Sequence, residues 1–133
     1  MDARIDPAAA FGIELGDAHV VRNAGATARV ALRDILISQQ LLGTQEVLIV
    51  KHTGCGMLLF NNDVALGLVE KNLGEQTKDG LVAQNFDFHT ITSLETAAQD
   101  DVAWLKGSGY VGKHVPVTGW IYDVKTGKVT QVA

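Results

Sequence analysis

Residues 28 to 42 place Val30, Leu32, Ile35, Leu36, Gln39 and Leu42 at mixed spacings of three and four, and Gly43 follows directly. That spacing predicts a helix with one inward face and a glycine stop. Val47-Leu48-Ile49-Val50, bounded by turn residues, is a continuous apolar run. It predicts a strand over 46–51, buried on both faces in a parallel sheet. Ahead of the helix, Ala18-His19-Val20-Val21-Arg22-Asn23 lies between Gly16-Asp17 and Ala24-Gly25 and reads as a short strand. Met57 to Leu73 is helix-like, with Asn61-Asn62-Asp63 interrupting or restarting it. Residues 74 to 90 hold several turn formers and no clear period. From Ser93, an N-cap residue type, Leu94, Ala97, Ala98, Val102 and Leu105 trace one helical face that Gly107 is expected to end. Val115 to Val124 and Lys128 to Val132, separated by Lys125-Thr126-Gly127, predict a terminal hairpin.

Alternating strands and helices give the expected fold class: α/β, a mainly parallel β-sheet flanked by helices, with a C-terminal β-hairpin. The 133 residues suit a single domain spanning 1–133, with no repeat, linker or low-complexity segment. Hydrophobic residues make up 47% and charged residues 20%, a globular balance that excludes a disordered chain. The net charge of −4 gives no electrostatic reason to expect nucleic acid or an anionic membrane as partner. No apolar stretch approaches the roughly 20 residues of a membrane helix. The acids Asp2 and Asp6 stand where a signal peptide would need an apolar run. The one cysteine, Cys55, excludes an internal disulfide framework, and a cytoplasmic location is the expectation.

Candidate chemistry concentrates at one strand end. His52-Thr53-Gly54-Cys55 comes directly after the apolar run and before a helix pattern. Ligand sites of open α/β sheets collect at such strand C-termini. A His and a Cys three apart across a strand-to-helix turn can converge on one ion, with Gly54 and Gly56 letting the backbone approach closely. Cys55 near a helix N-terminus is favoured as thiolate, and a mixed nitrogen and sulfur pair suits Zn2+. On that reading the imidazole and the sulfur face one point, about 2.0 to 2.3 Å from each. The same four residues are also what a buried small thiol beside a capped histidine looks like. Asp2 and Arg4, two apart on a strand, would share a face and form an ion pair, as solvated surface pairs also do.

The succession Met1-Asp2-Ala3-Arg4, Gly16-Asp17-Ala18-His19-Val20-Val21-Arg22-Asn23-Ala24-Gly25, Leu42-Gly43-Thr44 and His52-Thr53-Gly54-Cys55-Gly56-Met57 resembles the β-class carbonic anhydrases. The likeness covers most of residues 1 to 60. It resumes more loosely at Asp100-Asp101-Val102 and at Gly119 to Lys128, while residues 61 to 93 match poorly. The family motif is Cys-x-Asp-x-Arg followed by His-x-x-Cys. The resemblance implies a Zn2+ cofactor, with His52 and Cys55 as two ligands and Asp2 and Arg4 as the catalytic dyad. The family's first ligand cysteine would stand one position before Met1, so the resemblance is to an N-terminally shortened form, either a mis-started chain or a short paralogue. His19, His89 and His114 match no ligand position.

The implied activity is reversible hydration of CO2 to bicarbonate, impaired if the third ligand is lacking. The same scaffold hosts hydrolases of carbonyl sulfide and carbon disulfide, and an inactive member acting only through assembly is the third reading. Family members are dimers or higher assemblies, so a homodimer or higher homo-oligomer is expected. A strand missing ahead of Asp2 would leave a bare sheet edge that recruits a partner.

Overall fold

The computed structural model describes residues 1–133 and holds eight regular elements: α1 (Pro7–Phe11), α2 (Ala28–Gln40), β1 (Val47–His52), α3 (Asn62–Leu73), α4 (Glu75–Ala83), α5 (Leu94–Ser108), β2 (Val117–Tyr122) and β3 (Val129–Gln131). Two single 3-10 turns, Ala24–Ala26 and Gly56–Leu58, stand before α2 and after β1. The sheet has three strands in the order β1-β2-β3. β1 and β2 pair in parallel from Val47 opposite Val117 to His52 opposite Tyr122, and β2 and β3 form the antiparallel hairpin. The α/β class and the terminal hairpin therefore stand as the periodicity predicts.

The core lies between the sheet and α5. Ile49 of β1, Val117 of β2, and Val102 and Leu105 of α5 are buried together with Ala28 and Val111. Fully burying a Val or Leu side chain contributes about 1.5–3 kcal/mol, so this small cluster fixes how β1 is presented. Gly119 in β2 lets α5 come close: a Cβ there would meet Val102 Cγ2 at 3.2 Å, Ala98 Cβ at 3.3 Å and Ala133 Cβ at 3.2 Å.

Four expectations are corrected. Residues 18 to 23 form no strand, because none of their amides has a ladder partner, and Val20 and Val21 are exposed. β1 is an edge strand and only its Ile49 side is covered; Leu48 on the other side is 54% exposed. The last helix runs through Gly107 and ends at Gly109, which takes the left-handed conformation at φ 75°. Residues 74 to 90, unreadable by period, contain α4, which packs chiefly against α3. Its apolar positions are too few and too scattered to mark a stripe. The restart at Asn61 is real: its side chain accepts from the Val64 amide and caps α3. Ser93 caps α5 in the same way through Thr96.

Candidate active site

β1 delivers His52 to the C-terminal edge of the sheet, and the ladder continues one residue further, with Thr53 N donating to Tyr122 O at 2.9 Å. Gly54 then turns the chain at φ +65°, a conformation that strains any residue with a Cβ. Cys55 follows, buried, at the N-cap of the Gly56–Leu58 turn. Gly56, by contrast, has no neighbour within 4 Å of a Cβ position, so close approach there is not its reason.

The histidine's proton is placed by its neighbour. Nδ1 lies 3.0 Å from the Thr53 carbonyl oxygen, which can only accept, so Nδ1 carries the hydrogen. In the neutral ring the lone pair is then on Nε2. This arrangement, one ring nitrogen tied to a backbone carbonyl and the other free, is the usual preparation of a metal-binding histidine.

Asp2 reaches Nε2 from the other side. Its Oδ2 lies 3.7 Å from His52 Nε2, too long for a hydrogen bond. Arg4 grips the same carboxylate with both ends of its fork, Nε to Oδ1 at 2.9 Å and Nη2 to Oδ2 at 2.7 Å, and the Arg4 amide adds a third bond to Oδ1 at 2.9 Å. The Arg4 hydrogen bonds hold the Asp2 carboxyl well below the usual carboxylate range, and the same contact raises the guanidinium. The ion pair exists as expected, but a turn makes it: Ile5 N donates to Asp2 O at 3.3 Å and the two residues are not in a strand. Arg4 Nη2 also donates to Gly54 O at 3.1 Å, which joins the dyad to the loop between His52 and Cys55.

The structure therefore brings Asp2, Arg4, His52 and the Gly54 loop to one place, with Cys55 directly after that loop. As metal donors these residues are incomplete. No group of three or more His, Cys, Asp or Glu side chains is arranged to hold an ion, whereas zinc sites use at least three protein ligands. The N/S chemistry suits zinc, but two such donors and a carboxylate committed to Arg4 do not fit a full site. Two of the other three histidines are engaged elsewhere, His19 with Ser38 Oγ at 2.7 Å and His89 with Asp87 at 3.2 Å.

The sequence points to the Arg22-to-Gly25 turn and to Asp101 only through resemblance, and neither Lys51 nor its pairing with Asp101 was foreseen. Arg22 Nη2 donates to Asp2 O at 2.8 Å. Lys51 Nζ, in a side chain 2% exposed, donates to Asp101 Oδ2 at 2.8 Å. The available signal was parity: Lys51 shares the buried face of β1 with Ile49, and Asp101 falls inside the apolar stripe of α5.

A parallel-paired strand that ends in His-x-x-Cys, with an arginine-held aspartate across from the imidazole, is the arrangement at the C-terminal end of β1. The chain belongs to the β-carbonic anhydrase family: the family model described as carbonic anhydrase matches residues 1–129. Beta-carbonic anhydrase 1 of Mycobacterium tuberculosis is 32% identical over 133 residues, covering 99% of this chain and 77% of that protein. A carbon disulfide hydrolase of Acidithiobacillus thiooxidans is 33% identical over 143 residues, covering 96% and 71%. Among solved structures, carbonic anhydrase from Glaciozyma antarctica superposes with TM-score 0.93 at 39% identity, covering 100% of this chain and 78% of that one.

Proposed function

We propose that this domain serves reversible hydration of CO2 to bicarbonate, with His52 and Cys55 as two zinc ligands and Asp2 and Arg4 as the dyad beside them. The observation that carries the reading is the carboxylate of Asp2, locked by Arg4 and 3.7 Å from His52 Nε2. Zinc, when fully ligated, lowers the pKa of a bound water to about 7. The family motif Cys-x-Asp-x-Arg has a further ligand cysteine two positions ahead of the aspartate that Asp2 matches.

Asp2 is a carboxylate at neutral pH, and Arg4 extends that charge to lower pH and fixes its orientation, so Asp2 accepts hydrogen bonds and does not donate them. A water or hydroxide beside it therefore directs its hydrogen to Asp2 and its lone pair toward the electrophilic carbon of CO2. The Arg4 bond to Gly54 O fixes where that carboxylate stands relative to the ligand loop. A second reading, hydrolysis of carbon disulfide or carbonyl sulfide, is favoured by the likeness to a carbon disulfide hydrolase. These linear molecules present the same electrophilic carbon. The test is a chain carrying Cys directly before Met1, loaded with Zn2+ and assayed with CO2 and with CS2. Hydration of CO2 that falls at least about 10²-fold in the Asp2→Asn variant is expected, as for a lost charge-orienting group. Turnover of CS2 alone would select the second reading, and unchanged activity in the variant would remove Asp2 from its role.

The assembly is proposed to be a homodimer or larger, and the support is surface area. A monomer of this mass exposes about 6,800 Å², whereas this chain exposes 8575 Å². The excess is on the order of twice the ~800 Å² that each partner gives to a standard interface. No helix is long and apolar enough to cross a membrane. The cytoplasmic placement remains part of this proposal.

A further inference from the structure

Lys51 is the most deeply buried cation of the chain and has no part in the chemistry described so far. Its ammonium spends all three hydrogens inside the protein: on Asp101 Oδ2 at 2.8 Å, on Gly25 O at 2.9 Å and on Ala26 O at 3.3 Å. Asp101 answers from α5, and its other oxygen takes the Ala28 amide at the start of α2 at 3.3 Å. One buried pair thus ties β1, α5, the Ala24–Ala26 turn and the N-terminus of α2.

That turn is the seat of the dyad segment. Arg22, just before it, donates to Asp2 O at 2.8 Å, and Asn23 O accepts from Met1 N at 3.1 Å. Asn23 is itself locked by two side-chain bonds to the Thr27 backbone, at 2.7 and 3.0 Å. Gly25, at φ 72°, lies so close to Met57 Cγ that a Cβ there would meet it at 3.3 Å, and Met57 follows Cys55 by two residues. The turn therefore touches both halves of the site, and Lys51 is the one cation that grips it from the strand carrying His52.

We infer that Lys51, with Asp101, is a positioning residue: it holds the Gly25–Ala26 carbonyls so that Arg22 and Asn23 set Asp2 opposite His52. Hydrogen bonds between ionised groups and carbonyls are strong and directional, and a buried ammonium with three partners has no alternative arrangement within reach. The inference deepens the proposed dyad and rests on that reading for its functional meaning. Its test needs neither metal nor substrate, so a failed CO2 assay and a failed positioning role are told apart.

The test compares ¹⁵N-resolved side-chain signals of Arg4 and Arg22 in the parent, in Lys51→Met, and in Lys51→Met/Asp101→Asn. Lys51→Met alone leaves the buried Asp101 carboxylate with only the partly exposed Arg29 guanidinium, 3.8 Å from Oδ1, and is expected to lose stability. The double variant removes both charges, while the introduced asparagine side chain still accepts from the Ala28 amide. In it, the amide signals of Val102, Leu105 and Val117 are expected to stay in place, while the Arg4 and Arg22 signals move to free-arginine positions. Arginine signals unchanged in the folded double variant would overturn the inference. Loss of the core signals along with them would overturn it too, because the pair would then be holding the fold and not the dyad.

Discussion

In the proposed reaction Asp2 acts only while it is charged, and Arg4 extends that charge to lower pH. The sign of the pH effect follows from the lowered carboxyl. The ion pair contributes stability above the unfolded value of about 3.9, and that contribution is lost only as pH falls toward the lower folded value. In Arg4→Met the Asp2 carboxyl midpoint, read by ¹³C NMR, is expected to rise toward about 3.9. An unmoved midpoint would deny the role of Arg4. Gly54 makes a second residue-scale case, because a side chain at φ +65° is strained. Gly54→Ala is expected to cost about 1–2 kcal/mol in chemical denaturation. A cost near zero would mean that the loop relaxes to another conformation. Asp2, Arg4, His52 and Cys55 were legible as candidates because their order resembles the family motif. Lys51 and Asp101 were not, because a lysine at a strand end and an aspartate in a charged helix ordinarily face water, and only the packed structure shows them meeting 50 positions apart.

Among the elements, the long periodic ones were readable and the ones defined by pairing were not. α2, α5 and the hairpin follow from the apolar stripe, the Ser93 cap and the Lys125-Thr126-Gly127 turn, where the structure adds an Asp123 side chain that accepts from the Lys125 and Thr126 amides. Residues 18 to 23 have the composition of a strand, but a strand needs a neighbour to take its hydrogen bonds, and composition cannot supply one. Gly107 was mistaken for a stop because glycine inside a helix costs only about 1 kcal/mol against alanine, less than α5 gains by burying Leu105. The contact that fixes α5 against the sheet is at Gly119. Gly119→Ala forces a methyl group against Val102 and Ala98 and is expected to destabilise by about 1–3 kcal/mol, read as a lower denaturation midpoint with unchanged slope. A neutral result would show that α5 can move off the sheet freely.

For the whole molecule, exposed apolar surface is the dominant feature. Only 16 of 133 residues are buried, and Leu15, Leu41, Leu59 and Leu73 are each at least two-thirds exposed. The proposed assembly would cover part of that surface. Light scattering at micromolar concentration is expected to give a dimer or larger, and a stable monomer would contradict the area argument. The central claim, that His52 and Cys55 are two of three protein ligands of a CO2-hydrating zinc, is tested most directly by ligand count. Full structural zinc sites are worth about 10–16 kcal/mol. By crude equal division a lost thiolate costs roughly 3 kcal/mol, on the order of 100-fold in affinity. Stopped-flow CO2 hydration with zinc content should therefore be measured on residues 1–133 and on the same chain with Cys placed directly before Met1. Weak zinc and little or no hydration in the first, with both restored in the second, is the predicted result. Full activity with one tightly held zinc per chain in residues 1–133 would contradict it.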